Sequence, residues 1–277
     1  MRHANRILTL DEIRNRAPSV FATEAWAKTS ENYRFIPTID VVNGLIKNGF
    51  VPVDARQSRT RIEGKQDFTK HVMRFRHQDF MGEGVKVGSE IPEIVLLNSH
   101  DRSSSYQISL GFFRLVCSNG LIVSSGTMDE IRVRHSGKED IVGQVIEGSY
   151  RIIEDAPRAI AQIEQWRGIQ LDANEQKIMA EAALDVRDTS LDISMDSLLS
   201  ARRHADDGVN GSRDIWKTMN VIQENLIRGG VTGQNAKGER RRLRGVKSVD
   251  GDTKLNRALW KISERMADLK SPSNIAA

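Results

Sequence analysis

SYQISLGFFRLVCSNGLIVSS, residues 105–125, is the stretch that decides the fold. Tyr106, Ile108, Leu110 and Phe112 recur at every second position, the period of a strand with one buried face. Asn119–Gly120 is the dipeptide favoured in type I′ turns, and LIVSS returns from it, so a long hairpin is expected here. The same period continues upstream. PEIVLLNS (92–99) reads as a short apolar strand, and His100–Ser105 as a turn of Asp, Arg and Ser. TKHVMRFRH (69–77) alternates, with Lys70, Val72, Arg74 and Arg76 on one side and His71, Met73, Phe75 and His77 on the other. VPVDARQSRTRIE (51–63) reads as another strand and its continuation, with Arg59 and Arg61 on one side.

Outward from these strands the period changes to that of helices. TIDVVNGLIKNGF (38–50) places Ile39, Val42, Leu45 and Ile46 on one helical face, with Thr38 as N-cap and Gly49 as stop. Leu10, Ile13 and the Asp11–Glu12 pair suggest a short helix that Pro18 interrupts. DEIRVRH (129–135) is a last strand candidate. From Gly137 onward the pattern is helical, with a break at Pro157, a capping box at Asp172 and Glu175, a helix in MDSLLSARRHADD (195–207), and two helices in 214–270. The expected class is α+β: an N-terminal helix plus a twisted antiparallel sheet with a long hairpin, followed by a helical C-terminal half. The expected boundaries are a lead-in at 1–36, a sheet region at 37–136, and a helical region at 137–277 that carries a basic loop at 229–253.

Composition excludes several classes of function. Hydrophobic residues make up 39% of the 277 and charged residues 28%, enough for a core in one large or two modest domains. The single Cys117 rules out a disulfide framework and a multi-cysteine zinc site, and it reads as a buried reduced thiol. MRHANRILTLDEI has no apolar run of signal-peptide length, and no window is apolar enough to span a bilayer, so a soluble, cytoplasmic protein is expected. His71 and His77 lack partners at metal-ligand spacing. GEGVKVG (82–88) lacks the GK[ST] of a phosphate loop, and Ser118 lies in no nucleophile elbow. No catalytic residue, metal or cofactor is expected, and the chain reads as a non-enzyme.

The charge is concentrated. The chain has a net charge of +4, yet KGERRRLRGVK (237–247) holds Lys237, Arg240, Arg241, Arg242, Arg244 and Lys247 against only Glu239, a net of +5. Arginines on a glycine-bearing loop between two helices form a device for holding phosphates. Lys254 and Arg257 continue the track onto the last helix. A second set, Arg59, Arg61, Lys70, Arg74 and Arg76, would form one cationic sheet face if its two strands pair. The alternatives are a solvated loop and, for the strands, salt bridges to Glu63, Asp67 or Asp79. Trp216 and Trp260 sit on the apolar faces of the last two helices and read as core.

FRLVCSNGLIV (113–123), DIWKTMNVIQENLIRGG (214–230) and RRRLRGVKSVDGDTKLNRALWKI (240–262) resemble the domain of unknown function 932 family of phage- and plasmid-encoded proteins. That resemblance implies a mobile genetic element and a bacterial cytoplasm, and it carries over no catalytic residue. In order of elements the chain is also similar to the Rad52-like single-strand annealing proteins, which implies a ring-forming homo-oligomer with a cationic groove for DNA. The expected partner is nucleic acid, single-stranded DNA favoured, bound for annealing or protection in DNA recombination. The alternative partner is a host defence protein or regulatory complex that this chain inhibits.

Overall fold

The structure is a computed structural model that describes residues 6–27, 35–81, 90–114, 120–122, 131–133, 140–203, 206–209 and 211–271. Thr9 opens the first helix, α1 (Leu10–Arg16): its hydroxyl accepts from the Glu12 amide, and the Glu12 carboxylate accepts from the Thr9 amide. Helix α2 (Thr38–Lys47) follows, and Gly49 at φ +82 ends it as expected. Next come β1 (Phe50–Gln57), β2 (His71–His77), β3 (Glu90–Asn98), β4 (Tyr106–Arg114), β5 (Gly120–Ile122) and β6 (Ile131–Val133). All pairings are antiparallel, in the order β1-β2-β3-β4. Both β5 and β6 then pair with β4, β5 along Gly111–Phe113 and β6 along Tyr106–Ile108.

Register sorts the sheet into two faces. Met73, Leu96 and Ile108 lie directly opposite one another, as do Phe75, Ile94 and Leu110, and all six are buried. Helix α3 (Ile141–Glu154) covers this face: a Cβ added at Gly148 would touch Ile108 and Ile131, and one at Gly44 of α2 would touch Val142 and Ile146 of α3. The alternation read from Tyr106, Ile108, Leu110 and Phe112 is therefore the core face of β4. Gly120 pairs with Phe113, so it is a strand residue and not the second residue of a two-residue turn. Asn119 and Cys117 lie outside the described residues, as does the 82–88 glycine segment.

Thr38 corrects a second expectation. The N-cap of α2 is Pro37, and the Thr38 hydroxyl turns inward instead. It lies 3.0 Å from His71 Nε2, from His100 Nε2 and from Asn98 Nδ2. A hydroxyl offers one donor and two acceptor positions, which these three contacts fill. Asn98 Nδ2 donates, so one imidazole accepts from Thr38 and the other donates to it. The Tyr106 hydroxyl, 3.3 Å away, donates to the Ile36 carbonyl. All of these side chains are fully buried. The buried face of α2 is Thr38, Val41, Val42 and Leu45, and Ile46 faces solvent.

The chain forms two compact units, Met1–Ala156 and Pro157–Ala277, so α3, grouped by the sequence with the helical region, belongs with the sheet. In the second unit α4 (Ala156–Gly168) begins at the expected Pro157 break. Strand β7 (Gln170–Leu171), α5 (Ala173–Arg187) and α6 (Met195–Leu198) follow it. Then come β8 (Arg213–Asp214), α7 (Ile215–Arg228), β9 (Thr232–Gln234), β10 (Arg240–Arg242) and α8 (Val249–Leu269). The Asp172–Glu175 capping box starts α5 as read from the sequence. Helix α6 stops after four residues, well short of the expected 195–207, because the Asn225 amide of α7 donates to the Leu198 and Ser200 carbonyls. Trp216 and Trp260 are core, joined by Trp166 with ring centroids 4.6–6.5 Å apart. Truncating one such ring to alanine costs about 3–5 kcal/mol. Among the described residues no helix is long and apolar enough to cross a membrane.

Candidate nucleic-acid interface

The basic loop expected at 229–253 is a β-ribbon. Helix α7 ends at Gly229, φ +67, where a Cβ would lie 2.5 Å from the Leu243 carbonyl oxygen; the two legs of the ribbon cross there. Gly230 N–H donates to Leu243 O and Leu243 N–H to Val231 O, both at 2.7 Å, and Leu243 and Val231 are buried at the base. Strand β9 also pairs outward: Gln234 and Asp192 exchange N–H···O bonds of 2.8 Å. A Cβ on Gly233 would lie 2.5 Å from the Asp192 carbonyl oxygen, so this approach requires glycine. At the tip, Asn235 Oδ1 accepts from the Lys237 and Glu239 amides, both at 3.0 Å. Strand β10 is thus the outer strand of a braced ribbon.

The ribbon displays its charge. Arg240, Arg241 and Arg242 are all exposed. Strand alternation puts Arg240 and Arg242 on one side and Arg241 on the other. Arg241 pairs with Glu239 at 2.7 Å, and that bond, together with one from Asn235, lowers the Glu239 pKa. Lys237 at the tip, Arg244 and Lys247 below β10, and Lys254 in α8 are also exposed. Among the described residues no carboxylate pairs with Lys237, Arg240, Arg242, Arg244, Lys247 or Lys254. Arg257 is half-buried. Helix α8 starts at Val249, a turn earlier than its sequence pattern, with Ser248 as N-cap. Arg187, Lys247 and Lys254 line a cleft of about 310 Å³ at that start.

Two side chains that the sequence did not flag position the ribbon. Arg187 donates to the Arg244 carbonyl at 2.8 Å. Arg202 donates to Asn225 Oδ1 at 2.6 Å and to the Gly229 carbonyl. Each reaches more than twenty residues along the chain, which no local pattern announces.

The sheet set does not assemble as expected. Strand β1 ends at Gln57, so Arg59 and Arg61 are exposed loop residues off the sheet, and Lys70 precedes β2 and is half-buried. Strand β2 is covered on both faces from His71 to Arg76. Arg74 Nε lies 2.7 Å and Arg76 Nη2 2.6 Å from the two oxygens of Glu93 on β3, a carboxylate with no exposure at all. The β2 arginines are an internal ion triad rather than an open cationic face, and their acid is Glu93, not Glu63, Asp67 or Asp79. No group of three His, Cys, Asp or Glu side chains able to hold a metal occurs among the described residues.

The family model described as "Domain of unknown function (DUF932)" matches residues 25–260, a span that contains every candidate cation from Arg59 to Arg257. The chain is 42% identical over 264 residues to UPF0380 protein YafZ of Escherichia coli (strain K12), covering 95% of this chain and 92% of that protein. It is 41% identical over 264 residues to UPF0380 protein YfjQ of the same strain, with the same coverage. No solved structure matches the chain. With most of both units inside the matched region, the chain belongs to the DUF932 family.

Proposed function

We propose that this protein binds nucleic acid through the phosphate backbone, with the β9–β10 ribbon as the gripping element and single-stranded DNA as the favoured form. The supporting observation is the set of exposed cations on a braced ribbon, with no carboxylate neutralising Lys237, Arg240, Arg242, Arg244, Lys247 or Lys254 among the described residues. Such groups bind by displacing counterions from phosphates, which makes affinity fall steeply with salt. Base stacking adds nothing in this unit: its aromatic residues are Trp166, Trp216 and Trp260, all buried. Binding is therefore indifferent to base sequence. The role that fits is non-catalytic, holding strands of a mobile element for protection or annealing.

Arginines on an outer strand also stop it pairing with other chains, so the test must separate display from solubility. Fluorescence anisotropy with a single-stranded oligonucleotide and its duplex at low salt does so. Replacing Arg240, Arg242 and Arg244 by serine is expected to weaken single-strand binding about tenfold or more. It should also reduce the slope of log K against log salt by about 2. Wild-type protein that binds no oligonucleotide at low salt, or a variant that binds as well as wild type, overturns the reading. A host protein captured despite nuclease treatment would then favour the defence-inhibitor alternative.

A further inference from the structure

The cleft of about 310 Å³ at the foot of the ribbon lies between the end of α5 and the start of α8. Backbone forms one side of it. A Cβ on Gly245 would lie 2.8 Å from the Arg228 carbonyl oxygen, so glycine lets the chain press against the end of α7. The Val246 amide fixes it there, donating to the Ile227 carbonyl at 2.8 Å. Opposite, α5 ends where Asp188 takes a left-handed conformation, φ +51, and turns the chain away. Arg187 spans the two sides: Nε donates to the Leu226 carbonyl at 3.4 Å and Nη2 to the Arg244 carbonyl at 2.8 Å. Its Nη1 is committed to neither. Gly251 has no side chain to fill the cleft, and Lys254, three residues on, shares its side of α8.

The charge in the cleft is one-sided. Its lining holds three cations, Arg187, Lys247 and Lys254, and one acid, Asp188, a net of +2. Among the described residues no carboxylate pairs with any of the three, and Asp250 and Asp252 in the first turn of α8 do not line the cleft. The volume is at the lower end of the roughly 300–1,000 Å³ of small-molecule pockets, so it takes one phosphate group rather than a run of them. A phosphodiester within a strand carries about −1 and would cancel only half of the excess. A phosphomonoester carries about −1.5 to −2 at neutral pH and presents three acceptor oxygens, one for each cation. Such a group stands at the end of a phosphorylated strand. From Lys247 through Arg244 to Lys237 at the ribbon tip, cations recur at intervals of three residues or fewer. A strand seated by its end in the cleft therefore continues along the ribbon.

We propose that this cleft binds the terminal phosphomonoester of a nucleic-acid strand and so sets where a strand begins on the ribbon. The inference rests on the ribbon as the gripping element. The test is fluorescence anisotropy of the full chain with three internally labelled oligonucleotides of one sequence: 5′-phosphorylated, 3′-phosphorylated and unphosphorylated. One phosphorylated form is expected to bind about tenfold more tightly than the unphosphorylated one, the effect of one further charge-assisted contact. Lys247→Gln with Lys254→Gln, both exposed, should remove that preference without changing the melting temperature; Lys254→Gln alone serves if the double variant does not fold. The serine variant of the ribbon should weaken all three oligonucleotides and keep their ratio, which separates the cleft from the ribbon. Binding without a preference for either phosphorylated end, or a preference undiminished in the lysine variant, overturns the proposal and leaves the ribbon reading intact. A nucleoside monophosphate that binds as tightly as the phosphorylated oligonucleotide makes the occupant a free nucleotide and overturns the strand end. If no oligonucleotide binds, the ribbon reading falls, and melting in inorganic phosphate at constant ionic strength decides for the cleft alone. A saturable rise in melting temperature that the lysine variant loses supports a phosphate site there, and no rise overturns it.

Discussion

Thr38 shows how much one hydroxyl can organise. It is a residue type that caps helices, at the start of a helix, yet its oxygen serves His71, His100 and Asn98 at 3.0 Å in the core. A buried polar group without a partner costs about 1–3 kcal/mol. Thr38→Val keeps the shape and removes the oxygen, so it is expected to lower stability in urea melts by at least about 2 kcal/mol. Thr38→Ser keeps the oxygen and should lose under about 1 kcal/mol; equal losses in the two variants would show that packing rather than bonding matters there. Local sequence could not reveal this network, since His100 and Asn98 lie sixty or more residues away. The same limit hid the fate of Arg74 and Arg76. Alternation put them correctly on one face, but a face reads as open or closed according to what lies across it. Glu93, 17–19 residues on, closes it.

At the scale of elements, most starts and stops were legible because capping is local. The Asp172–Glu175 box, the Pro157 break and the Gly49 stop each act within about four residues and occur where the sequence puts them. The basic segment was harder. KGERRRLRGVK has too few apolar residues to show a period of two, and its strand character comes from partners: β9 beside it and Asp192 beyond. Gly233 is where that partnership is most exacting. A methyl group there meets backbone oxygen at 2.5 Å, which cannot swing aside as a side chain would. Gly233→Ala is expected to push β9 off the 192–193 segment at a cost of about 1–3 kcal/mol. Hydrogen exchange reads it: the Gln234 amide, bonded to Asp192 O in the wild type, should lose protection while amides in α7 and α8 keep theirs. Unchanged protection at Gln234 would mean that the ribbon tolerates the methyl group and is less tightly braced than its geometry indicates.

At the scale of the whole molecule, the order of strands first and helices second misled on one point: the boundary falls after α3, not before it. Helix α3 is helical in pattern but buries Val145, Gly148 and Ile152 in the sheet unit, and periodicity says nothing of which neighbour a helix will choose. Each unit owns a core, one built on Met73, Phe75, Ile94 and Leu110, the other on Trp166, Trp216 and Trp260. Units of this size that close their own cores fold as separate cooperative bodies. Expressed apart, Met1–Ala156 and Pro157–Ala277 should each show a single cooperative melt by circular dichroism. Salt-sensitive oligonucleotide binding should then travel with Pro157–Ala277, where the ribbon is. A fragment that lacks a cooperative melt would show that its core is completed by the other half of the chain. Oligonucleotide binding retained by Met1–Ala156 and absent from Pro157–Ala277 would move the interface off the ribbon, leaving β10 an edge strand whose arginines serve only to keep other strands away.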